Sequence, residues 1–265
     1  MKTLKVSLAM IAVVASLFLT KSNMLASDLD NRIESSAKQS YVFKTYLKGD
    51  DIDIQSKDEA VTLTGTVSDE SHKKLARDTV ASLPGVKSVD SKLEVKGQIP
   101  AEYSDAWLIA KVKVTLFFHK NVNAIETEVS AKDGDVILSG HAYSAAQKNL
   151  TTEYAMDVDG VKNVKNEMTV STAAVTQSEK TMGEKMNAIG DSIDDASITA
   201  LVEATLLYHR STRDLKATVE TKDGLVTLGG KAKNGAEKDL AAKLVSDVFG
   251  VKKVVNNMTV GGTTS

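Results

Sequence analysis

The chain has 265 residues, with 33 lysines and arginines against 35 aspartates and glutamates and no cysteine. A formal net charge of −2 gives it no bulk attraction to nucleic acid or anionic lipid, so either kind of binding would need a local basic patch. Without cysteine the chain has neither a disulfide framework nor a thiol for lipid attachment. No nucleic-acid partner is therefore predicted.

Residues 1–26 have the pattern of a secretory signal peptide. The basic start "MKTLK" precedes 15 uncharged and mostly apolar residues, and "SNMLAS" offers a cleavage point after Ala26. This apolar run is shorter than the roughly 20 residues of a membrane-spanning helix. We therefore predict a cleaved signal peptide and a periplasmic location, with an uncleaved inner-membrane anchor as the alternative. Cleavage would remove three of the 33 basic residues and leave 30 against 35 acidic ones, a net charge of −5.

The rest of the chain repeats two phrases three times. The first phrase reads "VTLTGTV" at 61–67, "VILSGHA" at 136–142 and "VTLGGKA" at 226–232, and the second reads "LPGVKSV" at 83–89, "VDGVKNV" at 158–164 and "VFGVKKV" at 248–254. The landmark glycines of the two phrases are 20 residues apart in every copy, whereas successive copies are 75 and 90 residues apart. This spacing predicts three independently folded units joined by variable linkers. We interpret the repeat glycines as structural residues rather than a binding site; they are Gly65, Gly85, Gly140, Gly160, Gly230 and Gly250.

Each unit is predicted to begin with a helix and a β-hairpin. In units 2 and 3 helical periodicity covers 104–119 and 194–209, and both segments end in a histidine, a favourable residue at a helix C-terminus. A strand of alternating character follows, and then an Asp-Gly pair that is typical of a tight hairpin turn. Unit 1 has Asp58-Glu59 in place of Asp-Gly, so we expect a looser hairpin there.

A second helix and a closing strand complete each unit. Asp69, Ser144 and Asn234 share one position after the hairpin and are good N-cap residues, and Gln147 and Glu237 would complete capping boxes. The glycine of the second phrase is expected at the C′ position of this helix, where a left-handed backbone is common. The predicted fold class is α+β, with three tandem α-β-β-α-β units, each a small three-stranded mixed sheet packed by two helices.

The phrases "DGDVILSG…DGVKNV" and "DGLVTLGG…FGVKKV" resemble the BON domain, a bacterial domain named for osmotically inducible and nodulation proteins. Unit 1 departs most from this pattern, because it lacks the turn glycine. The predicted boundaries are 28–97 for unit 1, 103–172 for unit 2, 173–192 for a linker and 193–262 for unit 3. The resemblance implies a non-enzymatic periplasmic module that is associated with envelope stress and binds phospholipid surfaces or envelope proteins.

The sequence contains no recognisable catalytic motif. It has no metalloprotease spacing, nucleophile elbow, phosphate-cradling loop or dinucleotide fingerprint. The histidines His72, His119, His141 and His209 are scattered among different predicted elements, whereas a zinc site needs three or four converging ligands. We predict no enzyme activity, no metal and no cofactor.

One helix offers a candidate contact surface. In unit 2 a second apolar stripe, Trp107, Val114 and Phe118, lies beside Lys111, Lys113 and Lys120, whereas unit 3 has Ser197, Ala204 and Tyr208 at the positions of that stripe. An apolar stripe beside lysines is typical of an interfacial membrane contact or a partner groove. The alternative is that this helix is buried against a neighbouring unit, with Trp107 in a core.

The function predicted from these features is a binding protein of the bacterial envelope. It would associate with a phospholipid membrane surface or an envelope protein and support envelope integrity under osmotic or envelope stress. The segment 173–192 is polar and would make unit 3 the more mobile unit. The alternative function is a periplasmic chaperone-like protein that holds unfolded clients.

Overall fold

A computed structural model describes residues 28–97, 101–170 and 193–261, which we call units 1, 2 and 3. The predicted signal peptide at 1–26 and the predicted linker at 173–192 lie outside the described residues. Within the three described ranges, no helix is long and apolar enough to cross a membrane.

The three units repeat one order of elements, to which unit 1 adds the short helix α2 (Tyr41–Thr45). Unit 1 contains α1 (28–39), α2 (Tyr41–Thr45), β1 (Asp51–Lys57), β2 (Ala60–Val67), α3 (Glu70–Ala81), β3 (Ser88–Ser91) and β4 (Glu94–Val95). Unit 2 contains α4 (Asp105–Phe118), β5 (Thr127–Lys132), β6 (Asp135–Ala142), α5 (Ala145–Met156), β7 (Asn163–Asn166) and β8 (Thr169–Val170). Unit 3 contains α6 (Asp195–Tyr208), β9 (Lys216–Lys222), β10 (Leu225–Ala232), α7 (Gly235–Ser246), β11 (Lys253–Asn256) and β12 (Thr259–Val260). The α-β-β-α-β order predicted from the repeat is therefore confirmed.

Each sheet is mixed, with the second hairpin strand at its centre. In unit 1, β2 pairs antiparallel with β1 and parallel with both β3 and β4, which are two pieces of one closing strand. Units 2 and 3 have the same pairing. Alternate residues of the central strand point towards the helices, and in β2 these are the buried Val61, Leu63 and Val67. The two helices thus cover one face of a three-stranded mixed sheet, as predicted.

The expectation of a looser hairpin in unit 1 is wrong. Asp58 and Glu59 have φ of 54° and 68°, and Lys57 pairs with Ala60, so the turn is the same tight two-residue turn as in the other units. The side chain of Asp30 on α1 explains this, because its carboxylate accepts hydrogen bonds from the amides of Asp58 (2.9 Å) and Glu59 (3.0 Å). Fixed acceptors on the helix hold the left-handed turn without a glycine.

The second helices begin where the sequence predicts and end earlier. Asp69, Ser144 and Asn234 are their N-caps, and each side chain accepts a hydrogen bond from an amide of the first turn. The following glycine is not at C′. In unit 2 the C-cap is Asp157, and Gly160 (φ 87°) lies three residues later in a turn that is closed by the Val161 amide and the Val158 carbonyl (3.2 Å). A left-handed residue is required at the third position of this kind of turn, which is why glycine stands there.

The units are not independent, which corrects the expectation of three separate copies. Units 1 and 3 share one continuous apolar core, in which Val42 and Ala76 of unit 1 lie with Ile198 and Ala204 of unit 3. Helix α6 is the shared element, since it contacts its own sheet and also α3 of unit 1. Unit 3 therefore lies at the centre of the described assembly instead of being its mobile end.

Two hydrogen bonds from unit 1 to unit 3 show how closely the units approach. The amide of Tyr41 donates to the carboxylate of Asp194 (2.7 Å), and the amide of Val42 donates to the hydroxyl of Ser197 (3.1 Å). Both donors lie in the first turn of α2, where amides have no partner within the helix. Unit 3 thus completes the backbone hydrogen bonding of unit 1.

Candidate functional site

The predicted apolar stripe of unit 2 lies mainly in contacts between units. Phe118 is 1% exposed and lies in the core shared by units 1 and 3, where its ring packs against Tyr46 and Tyr208. Val114 is half-buried against the same core. Trp107 is half-buried on the core of unit 2, beside the ring of Tyr103 (5.2 Å between centroids). Val114 and Phe118 are therefore packed against neighbouring units, which is the alternative that the sequence analysis left open.

The three lysines of the predicted site have different surroundings. The ammonium of Lys111 lies 4.3 Å from the centroid of the Tyr208 ring and donates to the hydroxyl of Ser71 (3.3 Å). Lys120 donates to the carbonyl of Val251 (3.1 Å). Burial lowers the pKa of both ammonium groups. Lys113 is exposed, whereas Lys111 and Lys120 are half-buried in separate contacts. The three lysines therefore do not form one patch. The role of the six residues in membrane or partner contact stays a prediction.

A groove of about 550 Å³ lies where the three units meet. Helix α3 of unit 1 provides one wall with Lys73, Lys74 and Arg77, and Lys111 of unit 2 provides a fourth cation. The remaining lining residues are Glu70, Val89, Ser91, Leu207 and Tyr208. The lining residues carry four cations and one carboxylate, so positive charge is concentrated here, although the whole chain is slightly acidic.

The cations of the groove differ in whether they already pair with a carboxylate of the protein. Lys74 and Arg77 both pair with the carboxylate of Asp78, which is buried where α3 packs on α6. The side-chain ammonium group of Lys73 has no hydrogen-bond or ion-pair partner among the described residues. The lining can therefore accept an anion through Lys73, while Lys74 and Arg77 keep a second hydrogen-bonding face for it.

Apolar side chains lie beside these cations. Leu207 is 42% exposed on α6, although it is a large apolar residue. Tyr208 follows it, and burial raises the pKa of its hydroxyl to about 12, so the ring is neutral. A groove with cations on one wall and exposed apolar atoms on the other fits a ligand that has an anionic group attached to a hydrocarbon part.

The sequence did not indicate this groove, because its parts come from three units. Lys73, Lys74 and Arg77 follow each other at helical spacing on one face of α3, which is the local signal that was available. Only the packing of unit 1 on the other two units brings Lys111 and Tyr208 to the same place.

The repeat glycines have structural roles in this arrangement. A Cβ atom at Gly65, Gly140 or Gly230 would collide with a backbone carbonyl oxygen of the neighbouring strand, and all three have positive φ. The glycines of the second phrase face the first helix of their own unit, and a Cβ atom at Gly160 would overlap Tyr103 and Leu108. These glycines are therefore required by the backbone conformation and close packing of each unit.

The described part of the chain contains no group of three or more histidine, cysteine, aspartate or glutamate side chains that could hold a metal ion. The buried histidines His119 and His209 face each other across units 2 and 3, with their Nε2 atoms 2.9 Å apart.

Comparison with known proteins gives the family of these units. The BON domain model matches residues 29–97, 104–172 and 194–262. Osmotically-inducible protein Y of Escherichia coli strain K12 is 29% identical over 172 residues, which are 65% of this chain and 79% of that protein. Outer membrane lipoprotein DolP of Haemophilus influenzae is 32% identical over 106 residues, which are 39% of this chain and 54% of that protein.

A structure of CdsD, a structural protein of the type III secretion system of Chlamydia trachomatis, aligns over 89% of this chain and 94% of that chain. The identity is 16% and the TM-score is 0.22, so this alignment supports no functional inference.

Proposed function

The chain belongs to the BON domain family, and we propose that it is a non-enzymatic binding protein of the bacterial envelope whose ligand is an anionic phospholipid surface. The groove where the three units meet carries this proposal, because it places four cations beside an exposed leucine. A lipid headgroup phosphate suits the cations, and the adjoining hydrocarbon suits Leu207.

The charge distribution supports a membrane surface as the ligand. The chain has a formal net charge of −2, so its overall charge does not attract an anionic membrane. A local concentration of cations is then needed for attraction, and each lysine or arginine near an anionic surface contributes about 1 kcal/mol. The groove provides this concentration at one place on the molecule.

Location and physiological role follow from the relatives and from the N-terminus. One relative is described as osmotically inducible and another as an outer membrane lipoprotein. Together with the predicted signal peptide at 1–26, these descriptions support a periplasmic protein that associates with a membrane and maintains the envelope under osmotic stress.

Vesicle binding tests this proposal. The chain that begins at Ser27 would be sedimented with vesicles of phosphatidylglycerol and phosphatidylcholine, and with vesicles of phosphatidylcholine alone. The groove variant carries Lys73→Gln and Arg77→Gln, and the matched control carries Lys216→Gln and Lys222→Gln on the exposed strand β9. Both variants lose two positive charges, but only the groove variant also removes an ion pair, that of Arg77 with Asp78. Circular dichroism of both variants is therefore measured first, and binding is compared only between folded proteins.

We expect the native protein to bind the anionic vesicles and not the neutral ones. At about 1 kcal/mol for each charge, the groove variant should bind roughly 30-fold more weakly, while the control keeps most of its affinity. No binding by the native protein would refute the lipid function. Equal losses in both variants would refute the groove as its site. Suppression of client aggregation in the absence of vesicles would instead favour the chaperone-like alternative.

The single tryptophan tests the unit 2 site that the sequence predicted. Trp107 is half-buried beside Tyr103, and a blue shift of its emission on addition of anionic vesicles would place the N-terminal part of α4 at the membrane. Unchanged emission during demonstrated binding would exclude that part of the helix from the contact.

A further inference from the structure

Units 2 and 3 pack around an approximate twofold relation centred on two buried histidines. His119 is the C-cap of α4 and His209 is the C-cap of α6, and they are 1% and 0% exposed. The backbone pairing is reciprocal, because His119 bridges to Val248 and His209 bridges to Val158. The two rings meet with their Nε2 atoms 2.9 Å apart.

Each ring also faces an aspartate of the opposite unit. Nδ1 of His209 lies 2.9 Å from the carboxylate of Asp157. Nδ1 of His119 lies 3.4 Å from the carboxylate of Asp247 and makes no hydrogen bond among the described residues. The two aspartates are equivalent C-caps of α5 and α7. The ring of Tyr154 stacks on His119 at 3.8 Å, and its hydroxyl donates to Asp247 (2.5 Å).

These contacts assign the protons of the pair. Nδ1–H of His209 donates to Asp157, so its Nε2 atom is an acceptor when the ring is neutral. Nε2–H of His119 then donates to it, and Nδ1 of His119 is left without a proton, in agreement with its lack of a hydrogen bond.

The pair can accept one proton but not two. A first proton on Nδ1 of His119 would face Asp247 and leave the contact between the rings intact. A second proton would have to go to Nε2 of His209, which already accepts from Nε2–H of His119. Two N–H groups would then point at each other, and two cations would be buried in contact.

The surroundings of the pair are mixed in charge. The carboxylates Asp157 and Asp247 and the hydroxyl of Tyr154 face the rings, while Lys120 and Arg210 follow the two histidines in sequence. Burial lowers the pKa of His119, the neighbouring His209 lowers it further, and Asp247 opposes both effects. Burial alone raises the pKa of Asp157, but hydrogen bonds from His209 and Ser211 lower it overall, so this carboxylate remains charged.

We propose that the histidine pair is an acid-sensitive latch, and that its double protonation separates unit 2 from unit 3. Three backbone hydrogen bonds accompany it and are released with the rings: from Lys120 to Asp247 (2.9 Å), from Arg210 to Asp157 (2.7 Å) and from Phe249 to Phe118 (3.3 Å). Separation would also open the basic groove, since Lys111 belongs to unit 2, whereas Tyr208 belongs to unit 3 and directly precedes His209. This last consequence for ligand binding rests on the proposed function.

Energy transfer between two labels tests the latch in the whole chain. Because the protein has no cysteine, Ser130→Cys and Glu220→Cys place dyes only on the exposed edges of β5 and β9. Transfer would be followed from pH 8 to pH 5 in the native background, in His119→Gln/His209→Gln, and in the control His72→Gln/His141→Gln. The control removes the same number of histidines but none from the contact between units 2 and 3.

We expect transfer to change in the native background with a midpoint below about pH 6.5, the ordinary pKa of histidine. The control should keep this transition, and the latch variant should lose it. Constant transfer in the native background would overturn the proposal, as would an unchanged transition in the latch variant.

A second measurement covers the case in which the latch variant does not fold. The ring C–H resonances of the four histidines would be titrated by NMR in the native protein. The latch requires two of them to titrate as a coupled pair whose second protonation step coincides with the change in transfer, and independent titration of all four would overturn it. Vesicle binding at pH 7.5 is measured separately, so a working latch without lipid binding would refute only the lipid function.

Discussion

Replacement of Tyr154 by phenylalanine removes one hydroxyl from the contact between units 2 and 3. This hydroxyl donates to Asp247 at 2.5 Å, and both residues are nearly fully buried, at 6% and 5% exposed. Phenylalanine keeps the ring that stacks on His119, so the change is confined to the hydrogen bond. The carboxylate of Asp247 keeps the side-chain amide of Asn121 as a donor.

The expected cost follows from the charge and burial of the acceptor. A hydrogen bond to a charged group contributes about 1.5–3 kcal/mol, and water cannot readily replace the lost donor at a buried site. We therefore expect Tyr154→Phe to lower the free energy of unfolding by about 2 kcal/mol. Tyr103→Phe is the matched control, since its hydroxyl donates to Asp159 at 2.8 Å but Tyr103 is 48% exposed. Its cost should be below about 0.5 kcal/mol.

Urea denaturation at pH 7.5, followed by far-ultraviolet circular dichroism, measures both values. With a slope of about 2 kcal/mol per molar urea, Tyr154→Phe should lower the midpoint by about 1 M and the control should leave it nearly unchanged. Equal midpoints for Tyr154→Phe and the native protein would refute the reasoning, because the bond could then not be a buried contact between units. Equal losses in the two variants would refute the role of burial.

Three further predictions concern other parts of the molecule. Gly140→Ala should cost more than about 2 kcal/mol, because the residue has φ of 111° and its Cβ atom would collide with the Glu126 carbonyl; Gly49→Ala, which has open space, should cost little in the same denaturation assay. Burial lowers the pKa of His119, so its contribution to stability is intact above about pH 6.5 and is lost as the pH falls through the lowered value. The thermal midpoint should fall over that range, and His119→Gln should flatten the slope. Burial and the nearby Asp78 raise the pKa of Glu203, so its charged form is unfavourable in the folded protein. Glu203→Gln should therefore be more stable than the native protein at pH 8, and this difference should vanish at pH 4; a difference independent of pH would contradict the assignment.

The elements within one unit were predictable because their signals are local. The N-caps Asp69, Ser144 and Asn234 lie next to the helices they begin, and the structure confirms all three. The turn of unit 1 was not predictable from Asp58 and Glu59 alone, because its stabilising acceptor is on another element. That acceptor lies 28 residues before Asp58 in sequence and approaches the turn only after α1 packs on the sheet.

The packing of the units could not be predicted from the large apolar side chains of the helices. Trp107 and Phe118 made α4 the candidate for an extra contact, whereas α6 forms the more extensive contact with unit 1 through Ser197 and Ala204, which are both 0% exposed. Small residues let two helices approach closely, and their burial depends on the partner rather than on their own hydrophobicity. The hydrophobic periodicity of each helix therefore predicts the face that covers its own sheet. It does not predict which unit covers the opposite face.

Comparison among the three repeats separates residues of the fold from residues of the interface. Asp30 has equivalents in units 2 and 3, Asp105 and Asp195, and all three carboxylates accept hydrogen bonds from the hairpin turn of their own unit. The histidine and aspartate of the latch occur only in units 2 and 3, and at the same positions unit 1 has Lys44 and Ser82. Unit 1 thus has the residues that build the unit but not those that join units 2 and 3. It packs instead through α3 on α6, and this different contact is what brings the cations of α3 to the groove.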